Sequence, residues 1–130
     1  MDAAFINPMQ VTAWIEAYEL AWRSPGTDAL DRLFTDDAVY SQGPYDEPAT
    51  GLLAIKRMWE AERKGPDEVF TIASEIVAVD SPVAVARVEV RYGDPVSQAY
   101  RDLWIIQFAA DGRCNSFEEW PFWPDKPHAA

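Results

Sequence analysis

Apolar side chains recur every three to four positions in the first half of this chain and alternate with polar ones through the second. Val11, Trp14, Ile15, Tyr18 and Trp22 fall at helical spacing. Asn7-Pro8 ahead of them offers a cap and a proline that a first turn tolerates. A first helix therefore runs from there to the Ser24-Pro25-Gly26 break. Thr27 or Asp28 can cap a short second helix whose Leu30, Leu33 and Phe34 face one way. Asp36-Asp37 breaks that pattern, and Ala38-Val39-Tyr40 reads as a short strand. Residues 43–51 hold two Pro and two Gly among polar residues, which suits a loop wandering over the rim of an opening. Leu52, Ile55, Met58 and Trp59 make a third helical stripe, closed by the cation, cap glycine and stop proline of Lys64-Gly65-Pro66.

Beyond that point the period changes to two. Residues 69–79, 83–92, 100–109 and 113–123 are β-rich runs separated by Asp80-Ser81-Pro82, Gly93-Asp94-Pro95 and Asp111-Gly112. They predict four long antiparallel strands in a meander. Helices first and strands after imply an α+β domain, with three N-terminal helices packed in a strongly curved mixed or antiparallel sheet. A length of 130 residues suits one domain over 1–130, with 1–8 and 124–130 as tails.

Composition narrows the partners. With 48% apolar and 13% aromatic residues, the chain has material for a packed core. A net charge of -11 repels phosphate backbones, and Lys and Arg are scattered, so no nucleic acid partner is expected. Acidity alone has the simpler meaning of a solvated surface and does not point to a cationic ligand. Every apolar run is interrupted well short of the roughly 20 residues that span a membrane, so no membrane association is expected. The one cysteine, Cys114, has no partner in the chain, and the N-terminus lacks a basic start and an apolar run; a reducing cytoplasm is expected.

Ala21-Trp22-Arg23-Ser24, then Leu33-Phe34-Thr35-Asp36-Asp37-Ala38, a proline-containing loop closing on Gly51, and a terminal Asp111-Gly112-Arg113 hairpin resemble the SnoaL-like branch of the nuclear transport factor 2 superfamily. The resemblance covers nearly the whole chain. It implies a cystatin-like cone with an internal pocket, a homodimer, and a small apolar or polyketide-like ligand handled without a cofactor. It does not select an activity, since such proteins include cyclases, dehydratases, isomerases, epoxide hydrolases and non-catalytic binding domains.

Candidate chemistry follows by subtraction. The single His128 sits in the tail and Cys114 has no histidine near it in sequence, which argues against histidine triads and histidine-rich metal sites. Carboxylates, tyrosines, arginines and amides remain, and they do acid–base work only where their protonation is shifted. Tyr18 is placed like the hydrogen-bonding tyrosine of ketosteroid isomerases. Their general-base aspartate falls on Gln42, however, and their protonated aspartate on or near Trp104. The similarity to limonene epoxide hydrolases extends further. Tyr40 and Gln42 match a water-positioning tyrosine and amide, Arg87 and Glu89 an Arg-x-Asp pair, and Glu119 a final aspartate, with three of the five substituted. In that pattern Arg87 lies between two carboxylates, one a base and one an acid.

The competing reading places Arg87, Glu89 and Arg91 on a solvated outer strand face, opposite Ala86, Val88, Val90 and Tyr92. Trp14, Trp22, Trp59 and Trp104 are most economically core residues. Trp14, Tyr18, Trp59, Trp104 and Phe117 are also the candidate pocket walls. Glu118 and Glu119 are adjacent, so only one can enter the interior, and Glu119 is the choice on the resemblance. Asp36 and Asp37 read as corner residues. These residues leave an acid–base enzyme and a non-catalytic ligand-binding or dimerisation module both open.

Overall fold

The computed structural model describes residues 5–63 and 67–124. Helix α1 spans Pro8–Arg23, and the expected cap is formed reciprocally: Gln10 N donates to Asn7 Oδ1 and Asn7 N donates to Gln10 Oε1. The predicted stripe is its buried face, with Val11, Trp14, Ile15 and Tyr18 all inside. Helix α2 is a single turn, Leu30–Leu33, with no side-chain cap, so neither Thr27 nor Asp28 caps it. Phe34 does not extend this helix; it opens strand β1, Phe34–Ser41. Asp36 and Asp37 lie inside that strand, exposed, where its pairing register is irregular between Phe34 and Val39. A bulge of this kind lets two polar residues stay wet without ending the strand.

Within the predicted loop, Ala49–Thr50 forms a two-residue strand, β2, paired with β1. Gly51, at φ 92°, then turns the chain into α3, Leu52–Glu62. Its open φ favours glycine, because a side chain there meets its own carbonyl. The Lys64-Gly65-Pro66 ending falls outside the described residues.

Four long strands follow: β3 Phe70–Asp80, β4 Val83–Tyr92, β5 Gln98–Phe108 and β6 Cys114–Phe122. They form the antiparallel meander, and β1 joins parallel to β6, giving a six-stranded sheet in the order β2-β1-β6-β5-β4-β3. The expected α+β class with a mixed curved sheet is the observed one. Its concave face carries Ala84, Ala86, Val88 and Val90 of β4 and Asp102, Trp104, Ile106 and Phe108 of β5, all buried. The helices cover that face, so the alternation along each strand decides which side chains the interior receives.

Candidate functional site

Strand register builds the interior in layers. Phe108 pairs with Cys114 at the closed end, then Ile106 with Phe117, Trp104 with Glu119, and Asp102 with Pro121. Phe117, fully buried, makes a floor of ring contacts with Trp14, Tyr18, Phe34, Tyr40 and Trp104. Above that floor the chain encloses a cavity of about 500 Å³. Tyr18, Tyr40, Gln42, Trp59, Trp104 and Glu119 line it, and its outer part is walled by Phe70, Tyr92, Tyr100 and Trp123.

Of the ten sequence-predicted site residues, these six reach the cavity. Trp14 and Phe117 do not line it. Trp14 is packed beneath, its indole donating to the Leu33 carbonyl, and Phe117 is the floor. Their apolar phase was right, but they sit one layer too deep to meet a ligand.

Arg87 and Glu89 do not join the site at all, which corrects the Arg-x-Asp expectation. On β4 the inward positions are Ala86, Val88 and Val90, and period two puts Arg87 and Glu89 on the convex face. There Arg87 pairs with Glu75 across the strand at 2.9 Å, and Glu89 with Arg91 and Arg101 at 3.0 and 3.3 Å. Arg87 therefore cannot lie between two cavity carboxylates. Glu118, adjacent to Glu119, faces outward as expected and accepts from the Trp120 indole.

A hydrogen-bonded chain runs up one wall. The Tyr18 and Tyr40 hydroxyls are 2.6 Å apart, and Tyr40 donates to Glu119 Oε1 at 3.1 Å. Gln42 donates to Glu62 at 2.8 Å. Burial raises the Tyr18 and Tyr40 pKa well above the phenol range, and the charge of Glu119 raises both further. Neither tyrosine ionises at neutral pH, so both act as hydrogen-bond donors. Glu119 itself is pushed up to about 7, first by desolvation and next by Asp102, against the hydrogen bonds of Tyr40 and Gln42.

Asp102 is the cavity-lining acid that the sequence reading missed. Only 7% exposed, it accepts a 3.4 Å bond from the Trp104 indole at Oδ2, while Oδ1 has no partner. Desolvation holds it up at about 6. Register places it diagonally across from Glu119, one layer nearer the opening. The signal was present: an acid in phase with Trp104, Ile106 and Phe108 has to point where they point.

Such an arrangement offers two carboxyls that can exchange protons near neutrality and a tyrosine pair beside one of them, in an aromatic enclosure. Among the described residues, no group of three or more His, Cys, Asp or Glu is placed to hold a metal ion. None of the described helices is long and apolar enough to cross a membrane.

Comparison with known proteins agrees with this architecture. The fold matches the epoxide hydrolase/cyclase-like enzyme SalBIII, which has a role in pyran ring formation in the polyether salinomycin, with a TM-score of 0.71 at 11% identity over 89% of this chain and 93% of that one. It matches a ketosteroid isomerase-like protein from Erwinia carotovora atroseptica with 0.63 at 22% identity, over 92% and 100%. An LEH-like epoxide hydrolase of M. tuberculosis gives 0.63 at 13%, over 88% and 84%. At these identities the likeness is one of fold. No curated protein matches the sequence. A family model for the SnoaL-like domain matches residues 11–117, which with the layered cone just described makes this chain a member of the SnoaL-like family.

Proposed function

We propose that this chain is a cofactor-independent acid–base catalyst acting on a small, largely apolar molecule, in which Glu119 moves the proton. The observation that carries this reading is the Glu119 carboxyl, held at about 7 inside an aromatic cavity and hydrogen-bonded through Tyr40 to Tyr18. A carboxylate poised near the working pH both takes and returns a proton readily. In a proton shift beside a carbonyl, Glu119 takes the proton from carbon and returns it at the new position. A Tyr18 hydroxyl turned from Tyr40 to the substrate would stabilise the oxygen on which charge develops. Elimination from a β-hydroxy ketone begins with the same abstraction, but the Glu119 proton then goes to the departing hydroxyl, which leaves as water. The epoxide-hydrolase variant of the reading loses support, since Arg87 and Glu89 stand on the far face of the sheet.

Turnover of small unsaturated ketones and β-hydroxy ketones tests it, with small epoxides alongside. Glu119→Gln is expected to lower kcat about 10²–10⁴-fold with the fold intact by circular dichroism. Because the ionised form is the base, kcat/KM of the parent should rise with pH through about 7. Equal rates for parent and variant on every substrate, or none for either, would leave the cavity as a non-catalytic binding site.

A further inference from the structure

Most acids around the cavity have no cation beside them. Glu62, Glu68, Asp102 and Glu119 all line it, and no lysine or arginine stands among the described lining residues. Each of the four is held by a neutral donor: Gln42 on Glu62, the Trp22 indole on Glu68 at 3.3 Å, the Trp104 indole on Asp102 and Tyr40 on Glu119. A fifth, Glu19, differs in having Arg23 as partner. Asp102 adds a second, independent sign, because a buried carboxylate oxygen with no donor is a costly thing for a fold to keep.

The walls are suited to the missing charge. Phe70, Tyr92, Tyr100 and Trp123 form a continuous ladder of rings at the opening, with neighbouring centroids 5.8, 6.0 and 5.7 Å apart; the Phe70 ring already carries the Arg23 guanidinium, 3.8 Å from its centroid. Deeper, Tyr18 packs 5.1 Å from Trp59 and 4.7 Å from Trp104. Aromatic faces attract cations and repel carboxylates. A neutral ligand would use the rings and leave the carboxylates unanswered, and an anion would be repelled by these acids.

From these contacts we propose that the ligand of this cavity is an amine in its protonated form on an apolar body, its ammonium set against Asp102 beneath the ring ladder. The proposal deepens the reading of the cavity as the ligand site and needs no turnover. Net acidity of the chain carries none of it, since acid surface is common; the unpartnered Asp102 oxygen and the acids without a cation among the described lining residues do.

Three naphthalene probes that share one ring system test it by calorimetry at pH 7: 1-naphthylmethylamine, 1-naphthylmethanol and 1-naphthoate. The amine should bind at least about tenfold more tightly than the alcohol, and the naphthoate should not bind. Asp102→Asn, close in shape, should remove most of the amine's advantage over the alcohol. Proton linkage supplies a readout independent of that variant. Glu119 is faced by Tyr18 from α1, Tyr40 and Gln42 from β1, Glu62 from α3 and Asp102 from β5. An ammonium arriving among these groups favours its ionised form. Binding of the amine should therefore release protons, up to about half per site near pH 7, detected by repeating the titration in buffers of different ionisation enthalpy. Glu119→Gln should abolish most of that release.

Alcohol binding as tightly as amine would overturn the proposal while leaving the cavity as a site for neutral molecules. Proton uptake with the amine would also overturn it, and so would no binding by any probe. Amine preference without turnover on any substrate would instead uphold it and end the catalytic reading.

Discussion

At the scale of single residues, what distinguishes Glu119 is the company it keeps. Glu75, Glu89 and Glu118 belong to the same sheet, but all three face the convex side, two of them with arginines beside them. Glu119 has aromatic rings and a second acid. This environment has a price in stability that pH can expose. The folded-state values of about 7 for Glu119 and about 6 for Asp102 lie above the ordinary 4.5 and 3.8. Folding therefore favours the protonated forms. Their contribution is complete below the ordinary values and is lost as pH rises through about 6 and about 7. Thermal melts should accordingly find Glu119→Gln equal to the parent at pH 5 and several degrees more stable at pH 8.5, because the amide avoids a buried charge. Equal melting points at both pH values would show that Glu119 is solvated in the fold. Glu119 was legible through the family resemblance, which singled it out from the adjacent Glu118. Asp102 was hidden by Arg101 and by Leu103, whose apolar side chain mimics an inward position while facing out.

At the scale of elements, the helices were read from their period, and the cap expected for α1 is the one that formed. Asn7 and Gln10 satisfy each other's backbone donors at the start of α1, so Asn7→Ala should cost about 1 kcal/mol, measured by chemical denaturation; an unchanged midpoint would mean that the cap is idle. The α2–β1 junction was harder. Leu30, Leu33 and Phe34 fit a helical face, and nothing local says that Phe34 leaves the helix. That decision is tertiary, made by the pairing of Phe34 with Cys114 eighty positions later in the chain. Strand β2 escaped notice for the same reason, since two residues carry no period and exist only through β1. On β4 the alternation was plain, yet a period of two gives two faces without naming the inner one. Burial selects the alanine and valine face, where Ala86 lies beside Trp104 of β5 in the core.

For the whole molecule, the convex face remains open to solvent. Leu103, Phe122 and Val77 are at least a third exposed there, interleaved with the Arg87–Glu75 and Arg101–Glu89 pairs. Apolar side chains edged by self-complementary ion pairs suit a two-fold contact, and we propose that the chain pairs through this face as a homodimer. Light scattering should give twice the chain mass, and Leu103→Glu should return it to the mass of one chain. A parent that runs as a monomer at all concentrations would refute the pairing.

The layered register of β5 and β6 has a further consequence, for how such a chain can diverge. Layers near the closed end, Phe108 with Cys114 and Ile106 with Phe117, are packed core; the next two, Trp104 with Glu119 and Asp102 with Pro121, bring the acids to the cavity. Because adjacent layers are separated along the strand axis, exchange of an acid for another polar or apolar side chain in the upper two leaves the lower packing untouched. Selection can then rewrite the reaction without renegotiating the foundation, and descendants of one ancestor can come to share a shape while agreeing on no catalytic residue.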